Sequence, residues 1–198
     1  MGETPATDRI GLDVANRAEL RAWLLENADR RDGLWMRRYR KGQARYIEMG
    51  EIVRELLAHG WVDSSVRRFD EISSLLRISP RNPKSAWSAI NKAHVARIRA
   101  DGSMTPRGEA LIAAAKSNGM WGFLDDVEAG IVPDDLAAAL DAAGARGTFD
   151  GFPRSNRRGI LEWIKQAKRA ETRATRISET ARLAAQGLRV LAPEAKGR

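Results

Sequence analysis

The stretch SPRNPKSAWSAIN, residues 79–91, sets Arg81, Lys84, Ser85, Ser88 and Asn91 around a single tryptophan, Trp87, where a loop gives way to a helical pattern. Guanidinium, ammonium, hydroxyl and amide donors at such a place are the chemistry of anion recognition. The first N–H groups of a helix lack intrahelical partners and carry the positive end of its dipole, so a carboxylate or phosphate finds both donors and charge there. Ser85 reads as the N-cap, and Ser88 and Asn91 follow it at i+3 intervals on one helix face. Asp63, Arg68 and Arg77 come from the adjoining strand-like residues. The candidate ligand- or partner-binding groove is therefore Asp63, Arg68, Arg77, Arg81, Ser85, Trp87, Ser88 and Asn91. The competing reading needs no ligand: Ser85 caps, Arg81 pairs with Asp63, and Trp87 is core.

Other chemistries find less to work with. There is no cysteine, which removes thiolate nucleophiles, thiolate metal sites and disulfides. His59 and His94 are the only histidines, and neither sits in a nucleophile motif such as G-x-S-x-G, so no catalytic residue is assigned. An enzyme using Asp63 as acid or base stands as an alternative. Glu51, Glu55 and His59 recur every four residues, but opposite the apolar helix face, and read as a solvated side rather than metal ligands. No glycine-rich phosphate loop of nucleotide-binding spacing occurs, and no cofactor or metal is expected. The basic end is more suggestive: residues 154–198 hold twelve Lys and Arg against four Asp and Glu, next to 114–153 with two against seven. Lys165, Arg169, Thr172 and Arg176 would form one stripe if their helix ran unbroken, with Lys168 and Arg173 beside it. Such a stripe meets nucleic-acid phosphates or an acidic partner. One tryptophan is the only aromatic there for base stacking, so nucleic acid is the alternative and not the leading reading.

These groups have to be positioned by ordinary elements. NRAELRAWLLENA predicts a helix over about 17–28, with Asn16 and Glu19 at capping-box spacing. GLWMRRYRKG alternates as a strand, and IEMGEIVRELLAHG places Met49, Ile52, Val53, Leu56 and Leu57 on one helix face, with Gly60 as its stop. WVDSSVRRFDEISSLLRIS reads as two strands joined near Asp70, followed by a helix over about 86–100 and another opened by Thr105 and Pro106 and ended by Gly119. Three helices follow: one opened by Pro133, one capped by Ser155, one ending at Gly187. The fold class is α+β, a small antiparallel sheet packed with helices and then a C-terminal three-helix unit. Its expected divisions are 1–120, a linker at 121–132, a helical domain at 133–188 and a tail at 189–198. With 43% hydrophobic and 30% charged residues and a net charge of +8, the chain reads as globular and basic. The N-terminal residues show no apolar export segment and no run is long enough to span a membrane, so a cytoplasmic location is expected.

HGWVDS (59–64), SPRNPKSAWSAIN (79–91) and GSMTPRG (102–108) resemble the GWID, PR-x-x-S-x-WS-x-x-N and G-x-M-x-x-x-G signatures of the YdeI/OmpD-associated, or bacteriocin-protection, family. FPRSNRRGILEWIKQAKRAETRATRISETARLAAQG (152–187) is similar to that family's C-terminal pattern WI-x-x-AK-x-x-ETR-x-x-RI, with Ala170 where relatives often have proline. The likeness runs in order over about residues 17–188. It implies resistance to bacteriocins and cationic antimicrobial peptides, an association with an outer-membrane porin, and no enzymatic activity. The N-terminal half also looks distantly similar to small α+β domains of the YdhG type, sometimes called iron chaperones. The leading expectation is a non-enzymatic stress-protection protein that binds an anionic ligand or a protein partner.

Overall fold

The computed structural model describes residues 10–191, so residues 192–198 of the expected tail lie outside the described residues. The chain divides into two compact units, Met1–Phe123 and Leu124–Arg198.

The first unit is α+β. Its elements run α1 (Arg17–Glu26), β1 (Leu34–Tyr39), α2 (Met49–Ala58), β2 (Trp61–Arg68), β3 (Ser73–Pro80), α3 (Ala89–Ala100) and α4 (Pro106–Ser117). Asn16 caps α1, its side-chain oxygen accepting from the Glu19 N–H at 3.0 Å, while the Glu19 carboxylate returns to the Ala15 N–H at 2.8 Å. The strands form an antiparallel sheet in the order β1-β3-β2. Turn chemistry closes β2 onto β3 as expected near Asp70, whose carboxylate accepts from the Ile72 N–H and the Ser73 hydroxyl.

Strand alternation gives the sheet two unlike faces. Met36 pairs with Leu76 and Leu34 with Ile78, and these four join Leu20, Leu24, Ile52, Leu56 and Trp61 in a buried core under α1 and α2. Trp35 pairs with Arg77 and Arg37 with Leu75, one residue out of phase, so they occupy the opposite face. A second core joins Leu57, Ala58, Val95, Ile98, Ile112 and Ala115 of α2, α3 and α4 with Trp87, which precedes α3.

Two expectations for this unit are corrected. Helix α3 starts at Ala89 rather than near 86, and its cap is Ser88, whose hydroxyl accepts from the Asn91 N–H at 3.3 Å; Ser85 is exposed in a turn. The reason is tertiary: the Trp87 N–H is held by the Met120 carbonyl at 3.1 Å and its ring is buried, which fixes residues 86–88 outside the helix. Glu55 and His59 are also not on a solvated side. They are 1% and 4% exposed, because α1 lies over that face of α2 and Arg17 and Arg21 reach down to the Glu55 carboxylate at 2.5 and 2.8 Å.

The second unit is helical: α5 (Asp125–Ala129), α6 (Asp134–Ala142), α7 (Arg146–Asp150), α8 (Arg154–Lys165) and α9 (Ala170–Ala185). The three expected helices are α6, α8 and α9. The stretch 121–132, expected as a linker, contains α5, with Leu124 and Val127 buried, as are Leu136, Leu140, Phe149, Ile160, Leu161 and Ile164 of the helices that follow. Helix α6 begins after Pro133, which occupies the cap position, and α8 begins after Pro153, one residue before Ser155. Arg169, with φ −107° and ψ 142°, is extended and separates α8 from α9. The unbroken helix that a continuous basic stripe requires is therefore not present.

Candidate functional site

The three sequence motifs of the first unit meet at one corner, where α2 turns into β2. Gly60 makes the turn with φ +78°, and a side chain there would press on Leu111 and Arg107 of α4. The Gly60 carbonyl accepts from the Arg81 N–H at 2.9 Å. Thr105 caps α4 and donates its N–H and its hydroxyl to the Ala58 carbonyl. A Cβ at Gly108 would lie 2.5 Å from that same carbonyl, so only glycine lets α4 approach α2 this closely. GWVDS, SPR and TPRG are thus the parts of one backbone joint, which accounts for their glycines and for Thr105 without any ligand.

Arg81 is the unusual member. It is 6% exposed, its guanidinium carbon sits 3.9 Å from the centroid of the Trp87 ring, and Nη2 donates to the Ala86 carbonyl at 2.7 Å. Its Nε makes no hydrogen bond among the described residues. Burial without a carboxylate lowers its pKa to about 10. The expected Arg81–Asp63 ion pair is not among those formed by the described residues; a ring face and a carbonyl stand in for the counter-charge.

The remaining groove residues are dispersed. Asp63 pairs in register with Ile78 and so faces the helices, where it bears electrostatically on His94 of α3. Burial, then Arg54 and Arg97, lower the pKa of His94, while Glu48 and Asp63 oppose them. Arg68 lies opposite Ser74, four residues along β3 from Ile78, or about 13 Å. Arg77 is on the other face of the sheet, over Trp35. Ser85 is exposed, Ser88 is spent as a cap and Trp87 is core, packed at 5.1 Å against Trp121.

A more open feature lies in the second unit. Helices α6 and α9 border a groove of about 670 Å³ lined by Ala139, Ala142, Ala143, Ala174, Ile177 and Ala181, with the Asp135–Arg173 ion pair, Ser178 and Arg182 also lining it. Alanines keep the two helices' surfaces low and leave an apolar trough. Nothing in the periodicity marked it, because alanine spacing looks the same whether the face is packed or open.

Two family models match the chain. Residues 12–111 match one described as a domain of unknown function, DUF8412, and residues 129–187 match one described as Bacteriocin-protection, YdeI or OmpD-Associated. The chain belongs to the DUF8412 family and carries a YdeI/OmpD-associated domain. No curated protein and no solved structure matches it. The DUF8412 match contains the joint at Ala58–Gly60 with all three of its motifs, and the YdeI/OmpD-associated match contains the α6/α9 groove. The resemblance drawn over 17–188 therefore divides between two models.

In the YdeI/OmpD-associated domain the expected basic surface is largely consumed internally. Lys165 binds Asp126 at 2.5 Å, Arg173 holds Asp135 through two bonds of 2.7 and 2.8 Å, and Arg176 donates to the Trp163 carbonyl while stacking on that ring at 4.8 Å. Lys168 and Arg169 are exposed. Arg158, which sequence reasoning did not single out, ties Glu128 to Glu162 at 2.8 Å each. Among the described residues no group of three or more acidic or histidine side chains could hold a metal ion, and no helix is long and apolar enough to cross a membrane.

Proposed function

We propose that this chain is a non-enzymatic protection protein that works by binding a protein or peptide partner through its YdeI/OmpD-associated domain. The observation that carries the reading is the α6/α9 groove, an apolar trough with charged rims lying wholly inside the bacteriocin-protection match. A trough of that size suits the apolar face of an amphipathic helix, with Arg182 and the Asp135–Arg173 pair available to its polar edges. An anionic ligand at Arg81 is less favoured, since its guanidinium is buried against the Trp87 ring and donates through Nη2 to the Ala86 carbonyl.

The test fills the trough. Ala174→Trp places a large ring on its floor while leaving the buried Ile177, Ala181 and Leu140 in place. Expressed in a bacteriocin-sensitive bacterium, the native chain should raise survival, and the variant should lose that effect by about tenfold, the change expected from roughly 1.4 kcal/mol of lost affinity. Full protection by a folded Ala174→Trp protein removes the groove from the mechanism.

A further inference from the structure

The face of the sheet turned away from α1 and α2 carries an alternation of rings and guanidinium groups. Trp35, partly exposed on β1, has the Arg67 guanidinium of β2 at 4.7 Å from its ring centroid and that of Arg77, its direct partner on β3, at 5.8 Å. In the next row Arg37 stands over Tyr39 at 4.7 Å and Phe69 at 5.3 Å. These arginines differ in one decisive respect. Arg37 is neutralised by Asp70 at 2.6 Å, whereas neither Arg67 nor Arg77 forms an ion pair among the described residues. The register sets Arg37, Leu75 and Arg67 side by side and Trp35 beside Arg77, so both of these cations flank the partly exposed ring on one face of the sheet.

We infer that this face binds single-stranded nucleic acid, with Arg67 and Arg77 taking phosphates and the Trp35–guanidinium stack offering planes for bases. A phosphate needs a cation without a counter-ion, and a base needs a flat π or guanidinium surface; the two lie together here. A duplex hides its bases and asks for an element that enters a groove, while a flat sheet face accepts unstacked bases. The formal charge of +8 favours an anionic partner from a distance. Its residues are other than the C-terminal basic ones, of which Arg158, Lys165 and Arg173 are held in ion pairs.

Fluorescence anisotropy of the full chain with a labelled 20-mer of deoxythymidine, a labelled duplex of the same length and polyglutamate as competitor tests the proposal. The single strand should bind more tightly than the duplex, with affinity falling steeply as salt rises. Arg67→Ala/Arg77→Ala should weaken it by about tenfold or more and reduce the salt slope by about 1.4, roughly 0.7 for each phosphate contact to a single strand. Arg67→Lys/Arg77→Lys keeps both charges but not the planar stack, and should restore the salt slope with only part of the affinity. Lys168→Ala/Arg169→Ala should leave binding unchanged. Thermal unfolding of each variant, followed by circular dichroism, confirms that the comparison is between folded proteins. The inference is overturned by absence of binding at low salt, by equal binding of the duplex, or by a folded Arg67→Ala/Arg77→Ala protein that binds as the native one does. Competition by polyglutamate at equal charge concentration overturns it in favour of an acidic protein partner.

Discussion

Arg81 shows how a residue chosen for its chemistry can turn out to be spent on architecture. Its guanidinium is buried, stacked on Trp87 and bonded to a carbonyl, with its pKa lowered to about 10 by the loss of water. Arg81→Ala removes the stack, the hydrogen bond and much of the packing at once, and should cost about 3 kcal/mol in urea unfolding. A variant as stable as the native chain would return Arg81 to the list of ligand-binding residues. Glu55 is the opposite case, a buried carboxylate dismissed by periodicity as solvated. Burial pushes its pKa up, but hydrogen bonds from Arg21 and Arg17 outweigh that and leave it below the ordinary value. A depressed carboxylate contributes stability that is full above its unfolded pKa of about 4.5 and is lost as pH falls through the lower folded value. Glu55→Gln should therefore flatten the acid limb of stability against pH. Near neutrality it should cost about 2 kcal/mol, less than for a fully buried pair. The discount follows from exposure: Arg17 and Arg21 are 32% and 43% exposed and return readily to water. Unfolding measured at several pH values checks both the slope and the offset.

Helix ends were the least legible elements, and each difference has an identifiable cause. Ser85 and Ser88 both precede helical sequence; the choice between them was made by Trp87, whose ring is buried among α2, α3 and α4 and whose N–H is held by the Met120 carbonyl beyond α4. Pro133 and Pro153 stand just before their helices rather than inside them, where an extended backbone suits the ring equally well. The break before α9 is the clearest example of a signal weaker than the structure it accompanies. Ala170 has no power to stop a helix, yet Arg169 is extended and α9 begins afresh at Ala170. That geometry already satisfies the demands of proline, both at the first helical position and at the residue before it. Ala170→Pro should leave the fold intact and raise stability by up to about 1 kcal/mol by restricting the unfolded chain. A loss of more than that in the urea midpoint would mean that α8 and α9 run together in solution.

At the scale of the whole molecule, each compact unit carries its own candidate surface, and the two should be separable. Ala174→Trp should lower protection by about tenfold and leave oligonucleotide binding untouched, while Arg67→Ala/Arg77→Ala should weaken oligonucleotide binding and leave protection untouched; loss of both activities from either variant would tie them to one surface. The α+β class, the strands at 34–39, 61–68 and 73–80 and the principal helices were readable from the chain, because period-2 and period-3.6 hydrophobic spacing and the Asn16, Gly60, Thr105 and Gly119 signals are local. So was the C-terminal family, carried by its own residues. The candidate groove was not readable. Asp63 and Arg77 fall on opposite faces of the sheet through register, Arg81 and Trp87 sink into the interior, and Lys165, Arg173 and Arg176 meet partners thirteen to thirty-nine residues away. Sequence spacing records which side chains share an element's face; only packing decides whether that face meets water, a ring or a counter-charge, since those neighbours come from distant parts of the chain.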